Sequence, residues 1–158
     1  MTGKTTNAIA LSLLAAAAAG ILCACGARGR GEWVCPSVEP ASCAADLSGQ
    51  WTITDTLSTA AAACAAIDGR SYESVATVTQ AGCSLTVEVR GETFHGFVDS
   101  SRGCWTGSYS EISGTTTITA MELVLDAAGT GFTGTSAWSW SDGTTACTGT
   151  AALTGARQ

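Results

Sequence analysis

The chain has 158 residues, room for a leader and one domain, since single cores commonly occupy about 100 to 150 residues. From Gly26 onward six arginines face thirteen acids with no lysine, a net of seven negative charges. Such a surface repels a phosphate backbone and excludes nucleic acid as a partner.

Residues 8–22 form an uncharged, Ala- and Leu-rich run behind Lys4, the only lysine. As a helix it would span roughly 22 Å, short of the roughly 30 Å hydrocarbon core, so it reads as the apolar region of an export signal. No later run is apolar for long enough to span. The run closes on Leu22-Cys23-Ala24-Cys25, which resembles the lipobox of bacterial lipoproteins: an aliphatic residue, two small ones and the acylated cysteine. The resemblance implies that Cys25 carries lipid and becomes the first residue, that Cys23 leaves with the leader, and that several acyl chains hold the protein firmly to a membrane. The alternative is cleavage after one of Ala15 to Ala19, which keeps both cysteines in a soluble secreted or periplasmic product. The expected organisation is an export signal over 1–24, the acylated cysteine and a tether over 25–46, and a domain over 47–158. The expected location is the bacterial cell envelope.

Six cysteines follow, at 35, 43, 64, 83, 104 and 147. An even number in an exported chain predicts disulfides. A zinc site would need cysteines two to four residues apart or several histidines; no pair among these six shows such a gap, and His95 is the only histidine. Neither metal nor cofactor is expected. Both prolines, Pro36 and Pro40, lie in the tether, which shows no helical or strand period. Cys35 and Cys43, close together within it, are expected to bond to each other.

From Gly49 the texture changes to short Thr-, Val-, Ile- and Trp-rich segments broken by Gly, Ser and Asp, the mark of an all-β domain. Strands are predicted over 50–57, 74–80, 83–90, 93–99, 104–110, 116–125, 131–141 and 144–155. The Ala-rich stretch 58–70 predicts one short helix after the first strand, capped by Ser58 and closed by Gly69. The junctions Ala81-Gly82, Gly91-Glu92 and Asp142-Gly143 suit only tight hairpins between neighbours. Alternation gives each strand one apolar face: Trp51, Ile53 and Leu57; Cys83, Leu85, Val87 and Val89; Phe132, Trp138 and Trp140. Eight such strands close most simply into an antiparallel up-and-down barrel, filled by side chains or holding one small ligand, with a half-open sandwich as the alternative. In that barrel Cys64 and Cys147 share one rim, and Cys83 and Cys104 the other. Those are the expected pairs.

Gly49-Gln50-Trp51 at the first strand and Arg157 after the last resemble the lipocalins, in which a strand-one Trp closes the barrel floor and a late Arg lies over its ring. Residues 78–89, VTQAGCSLTVEV, are similar to a hairpin of small lipocalin-like barrels in exported bacterial proteins. The resemblance covers about 49–157 and implies a calycin-type barrel. The chain carries no lipocalin-type Thr-Asp-x-x-Tyr stretch.

Trp138 and Trp140 lie in phase, so with Trp51 and Phe132 they form either a ligand cavity or core packing. Trp105 falls under the same alternatives. His95 is the side chain titrating nearest neutrality, but no nucleophile elbow surrounds any serine. Glu122 shares the phase of Ile118, so it is either a solvated residue or a buried carboxylate needing a partner. The expected function is a non-catalytic envelope lipoprotein whose barrel binds a small apolar ligand. The alternatives are a protein-interaction module, such as an inhibitor of an exported protease, and, third, an enzyme.

Overall fold

A computed structural model describes residues 34–158 of the chain. The expected export signal, Cys23, the lipid-bearing Cys25 and Trp33 lie outside the described residues. Eight strands follow one another: β1 Gly49–Ser58, β2 Ser71–Ala81, β3 Ser84–Val89, β4 Glu92–Asp99, β5 Arg102–Glu111, β6 Gly114–Leu125, β7 Gly131–Ser141 and β8 Ala146–Arg157. Each pairs antiparallel with the next, and β8 returns to β1, Trp51 opposite Arg157 and Ser58 opposite Thr150. The sheet is a closed up-and-down barrel. Closure leaves no free edge, and the half-open sandwich is set aside.

Alternation decides which side chains point inward. Trp51 and Ile53, Ala76 and Val78, Leu85 and Val87, Phe94 and Val98, Leu123 and Leu125, and Ala151 and Leu153 all belong to one buried cluster. Gly96 permits a close approach on this face, because a Cβ there would overlap the backbone carbonyl of Cys104 on β5.

Turn chemistry moves two of the expected strand ends. The β3–β4 hairpin turns on Arg90 and Gly91, both at positive φ (54° and 85°), so Glu92 enters β4. This is the backbone demanded by a primed two-residue turn. Between β7 and β8 the Asp142 carboxylate accepts hydrogen bonds from the Thr144 and Thr145 amides at 2.7 and 2.6 Å. Those bonds hold four residues in the loop, and β8 begins at Ala146 rather than 144. The Ala-rich helix is a short 3-10 segment, Ala62–Ile67, kinked at Cys64 and without a side-chain cap, so Ser58 remains in β1.

One end of the barrel, the floor, gathers the β2–β3, β4–β5 and β6–β7 turns. Residues 34–48 cross it without regular structure but not as a free tether. Leu47 is buried beneath the barrel, and its amide donates to Gln80 Oε1 at 2.9 Å. Gln80 Nε2 donates to the Ala45 carbonyl at 3.0 Å, and Glu39 Oε1 accepts the Cys83 amide at 2.8 Å.

Three disulfides fix the fold: Cys35–Cys104, Cys43–Cys83 and Cys64–Cys147. The last is the pair expected from the shared rim. The other two correct the expected Cys83–Cys104 and Cys35–Cys43. Cys83 and Cys104 do share the floor rim, but β4 runs between their strands. Two strand spacings amount to about 9.5 Å, beyond the roughly 7 Å Cα limit for a disulfide. Cys35 and Cys43 lie in irregular chain laid across the floor; Cys35 reaches β5, and Cys43 reaches the β2–β3 turn. Cys83 in the β2–β3 turn and Cys104 in β5 are therefore each bonded to the crossing segment, which becomes a strap.

Candidate functional site

The floor is sealed by stacking. Trp51 is wholly buried, packs against Phe132 with ring centroids 5.2 Å apart, and donates from Nε1 to the Leu47 carbonyl at 2.8 Å. The Arg157 guanidinium lies 4.9 Å from the centre of the Trp51 ring, a cation–π contact, and donates to the Asp46 carbonyl. Trp51 and Phe132, two of the residues expected to line a cavity, are instead its base plate. They pack against each other, and no cavity-lining position falls to either.

Above them the barrel is hollow. A cavity of about 620 Å³ runs to the opposite end, within the range of small-molecule sites. Trp138 and Trp140 line it as expected, joined by Trp105, Phe94, Tyr109 and Met121. Trp138 is anchored by its indole N–H, which donates to the Thr150 carbonyl at 3.0 Å. The polar exceptions include Asp55, Ser74, Thr116 and Ser136 on the walls, with Arg90, Glu92 and Glu111 toward the mouth.

A register shift at β6 explains why Ile118 reaches this cavity. Ile118 pairs with Trp138 and Ala120 with Ala137, so Thr119 is an extra residue in β6, and the phase of the inward side chains changes there. Before the bulge Thr116 and Ile118 face in; beyond it Met121, Leu123 and Leu125 do. Glu122 consequently faces out, where it meets Arg102 at 3.1 Å. An exposed pair of this kind contributes about 1 kcal/mol or less. His95 also faces out, exposed on the wall between Thr86 and Thr106.

The helix Ala62–Ile67 covers part of the mouth. Ala63, Cys64, Ala66 and Ile67 border the cavity, but none of the helix is buried. What holds it down is the Cys64–Cys147 bond together with two neighbouring hydrogen bonds: Thr59 Oγ1 to the Thr148 carbonyl at 2.7 Å, and the Thr59 amide to Asp68 Oδ1 at 2.9 Å.

Asp55 is the charged side chain in the β1 wall of this cavity. Its cross-strand partners are Tyr72 on β2 and Leu153 on β8. Among the described residues no donor hydrogen-bonds to its carboxylate and no cation forms a salt bridge with it. Burial pushes its pKa above the ordinary Asp value, and the Arg90 charge opposes that shift. Burial likewise raises the Tyr109 phenol. A carboxyl raised in the folded state favours folding below its unfolded pKa and loses that advantage as pH rises through the folded one. Asp55→Asn is therefore expected to melt higher than the parent at pH 7, by on the order of 1–3 °C. The difference should fade on acidification and vanish below the ordinary value of 3.8, as followed by thermal denaturation across pH. A gap that is the same at every pH would show that desolvation of Asp55 is not its source.

Comparison with protein-family models, curated proteins and solved structures finds no match to this chain. The geometry alone carries the reading. Its architecture is the eight-stranded closed barrel implied by the lipocalin resemblance. Among the described residues no group of three or more His, Cys, Asp or Glu side chains is placed to hold a metal, and no helix is long and apolar enough to cross a membrane.

Asp55, Phe94, Tyr109 and Met121 were not singled out by the sequence patterns. Asp55 had a signal: it sits in phase between Ile53 and Leu57 on an inward face.

Proposed function

We propose that the protein is a binding barrel of the cell envelope that holds one small molecule with an apolar body, without catalysing a reaction on it. The observation that carries this reading is the hollow interior: aromatic and aliphatic walls, a sealed floor, and a mouth half covered by a disulfide-held helix. An interior filled to ordinary packing density would have served stability alone. The outward position of His95 favours binding over acid–base chemistry. Three disulfides suit an oxidising compartment, in keeping with export.

A neutral environment-sensitive dye, N-phenyl-1-naphthylamine, tests the cavity. It should brighten on binding, and Ala151→Phe, which places a ring among the wall residues, should weaken its binding about tenfold or more with the far-ultraviolet spectrum unchanged. Equal binding by parent and variant would place the dye elsewhere. Native mass spectrometry of protein recovered from the membrane fraction would report lipid on Cys25 and any retained molecule together.

A second reading, a protein-interaction module such as a protease inhibitor, is favoured by Ile112, which stands fully exposed at the tip of the β5–β6 turn. In that case Ile112→Asp would abolish partner binding, and Ala151→Phe would leave it intact.

A further inference from the structure

We propose that the cavity selects an amphiphilic organic cation, a protonated or quaternary amine on an apolar body, with Asp55 as its counter-ion. This deepens the binding reading and rests on it.

Three observations converge. The first is charge: the acidic residues bordering the cavity are Asp55, Glu92 and Glu111, against the single cation Arg90. Arg90 is exposed on its turn and directs one guanidinium nitrogen toward the Glu73 carbonyl at 3.5 Å, so water screens it and it forms no ion pair with Asp55. The second is the state of Asp55. A half-buried carboxylate held between Tyr72 and Leu153 in an apolar wall, with no donor from the described residues, carries a desolvation penalty that the Arg90 charge only partly offsets. A cation arriving with the ligand removes that penalty, whereas an anion would increase it.

The third is the surface on which the charge would sit. Tyr72 flanks Asp55 directly, and Tyr109, Trp138 and Trp140 line the same chamber. Aromatic faces attract organic cations through their quadrupoles, Trp most strongly, and they also accept the apolar body of the same molecule. A purely apolar ligand would use the walls and leave Asp55 unpaired.

Tyr109 also borders the chamber; a phenol is un-ionised at neutral pH and burial raises its pKa further, so it adds no charge. With Asp55, Tyr72, Arg90, Glu92 and Glu111 it makes up the titratable and charged side chains that line the cavity among the described residues, drawn from β1, β2, the β3–β4 turn, β4 and β5.

The test titrates the full mature protein with three probes of equal chain length, each below its micellar concentration: decyltrimethylammonium, decanol and decanesulfonate. Binding is read by isothermal calorimetry and by quenching of tryptophan fluorescence. The cation should bind about tenfold or more tighter than decanol, and the sulfonate weakest. In Asp55→Asn the ratio of cation to decanol affinity should fall to about one, and Asp55→Glu should restore a preference for the cation. Decanol binding by the same variant shows that its barrel is folded. Equal binding of cation and decanol by the parent, a preference for the sulfonate, or a ratio unchanged in Asp55→Asn would overturn the proposal while leaving the binding barrel standing. Failure of all three probes to bind would overturn the binding reading as well.

Discussion

Trp51→Ala is expected to lower the unfolding free energy by about 3–5 kcal/mol, the range for truncating a large buried aromatic. The site has no easy way to collapse. Phe132 rests against one side of the indole and the Arg157 guanidinium lies over its ring, while Leu47 is held beneath by the indole N–H. Arg157, whose Nε is buried without a hydrogen bond among the described residues, would lose its aromatic partner. Trp140→Ala supplies the comparison, because Trp140 is only half-buried and borders the cavity. Its loss should cost about 2 kcal/mol or less. Urea denaturation followed by circular dichroism distinguishes the two. Equal losses would mean that the floor is no more tightly built than the mouth.

Breaking Cys64–Cys147 in the double variant Cys64→Ser, Cys147→Ser should have the second large effect. The bond joins positions 83 residues apart, and cross-links closing long loops typically contribute about 2–4 kcal/mol by restricting the unfolded chain. The consequence for binding is more specific. The mouth helix fully buries none of its residues, so without the bond only the Thr59 hydrogen bonds and the partial packing of Ile67 hold it across the opening. Dye release should accelerate about tenfold in stopped-flow measurements. Cys43→Ser with Cys83→Ser is the control, since that bond lies at the floor: it should lower stability and leave release unchanged. If both double variants release dye at the parent rate, the mouth helix is not a lid.

Much of the barrel is written locally. A strand with one apolar face needs only period-two alternation: in 131–141 Phe132, Trp138 and Trp140 keep one phase across Gly134 and Ser136, and the strand has the expected bounds. Positive-φ turns leave a similarly direct trace, although at Arg90-Gly91 the turn falls one residue before the expected junction. The cavity was less legible. Trp138 and Trp140 face inward as their phase demands, yet the same phase puts Trp51 and Phe132 inward as well, and alternation carries no information about depth along the barrel axis. Whether an inward ring lines a chamber or seals its base depends on how far along its strand it stands and on what faces it from the other strands.

By itself, then, the sequence determined the class of the fold, its meander order, the face that each strand buries and the pairing of Cys64 with Cys147, because each follows from local period, turn chemistry or adjacency in a closed barrel. Only the tertiary structure decided the rest. It turned the expected tether into a strap, since the cysteines at 35 and 43 bond to residues distant in sequence but adjacent at the floor. It inserted the Thr119 bulge that sends Ile118 inward and Glu122 outward, a choice set by pairing with β7 rather than by the composition of β6. It also left the upper interior open around Asp55, because packing between opposite walls is a property of the whole closed sheet and of no single strand.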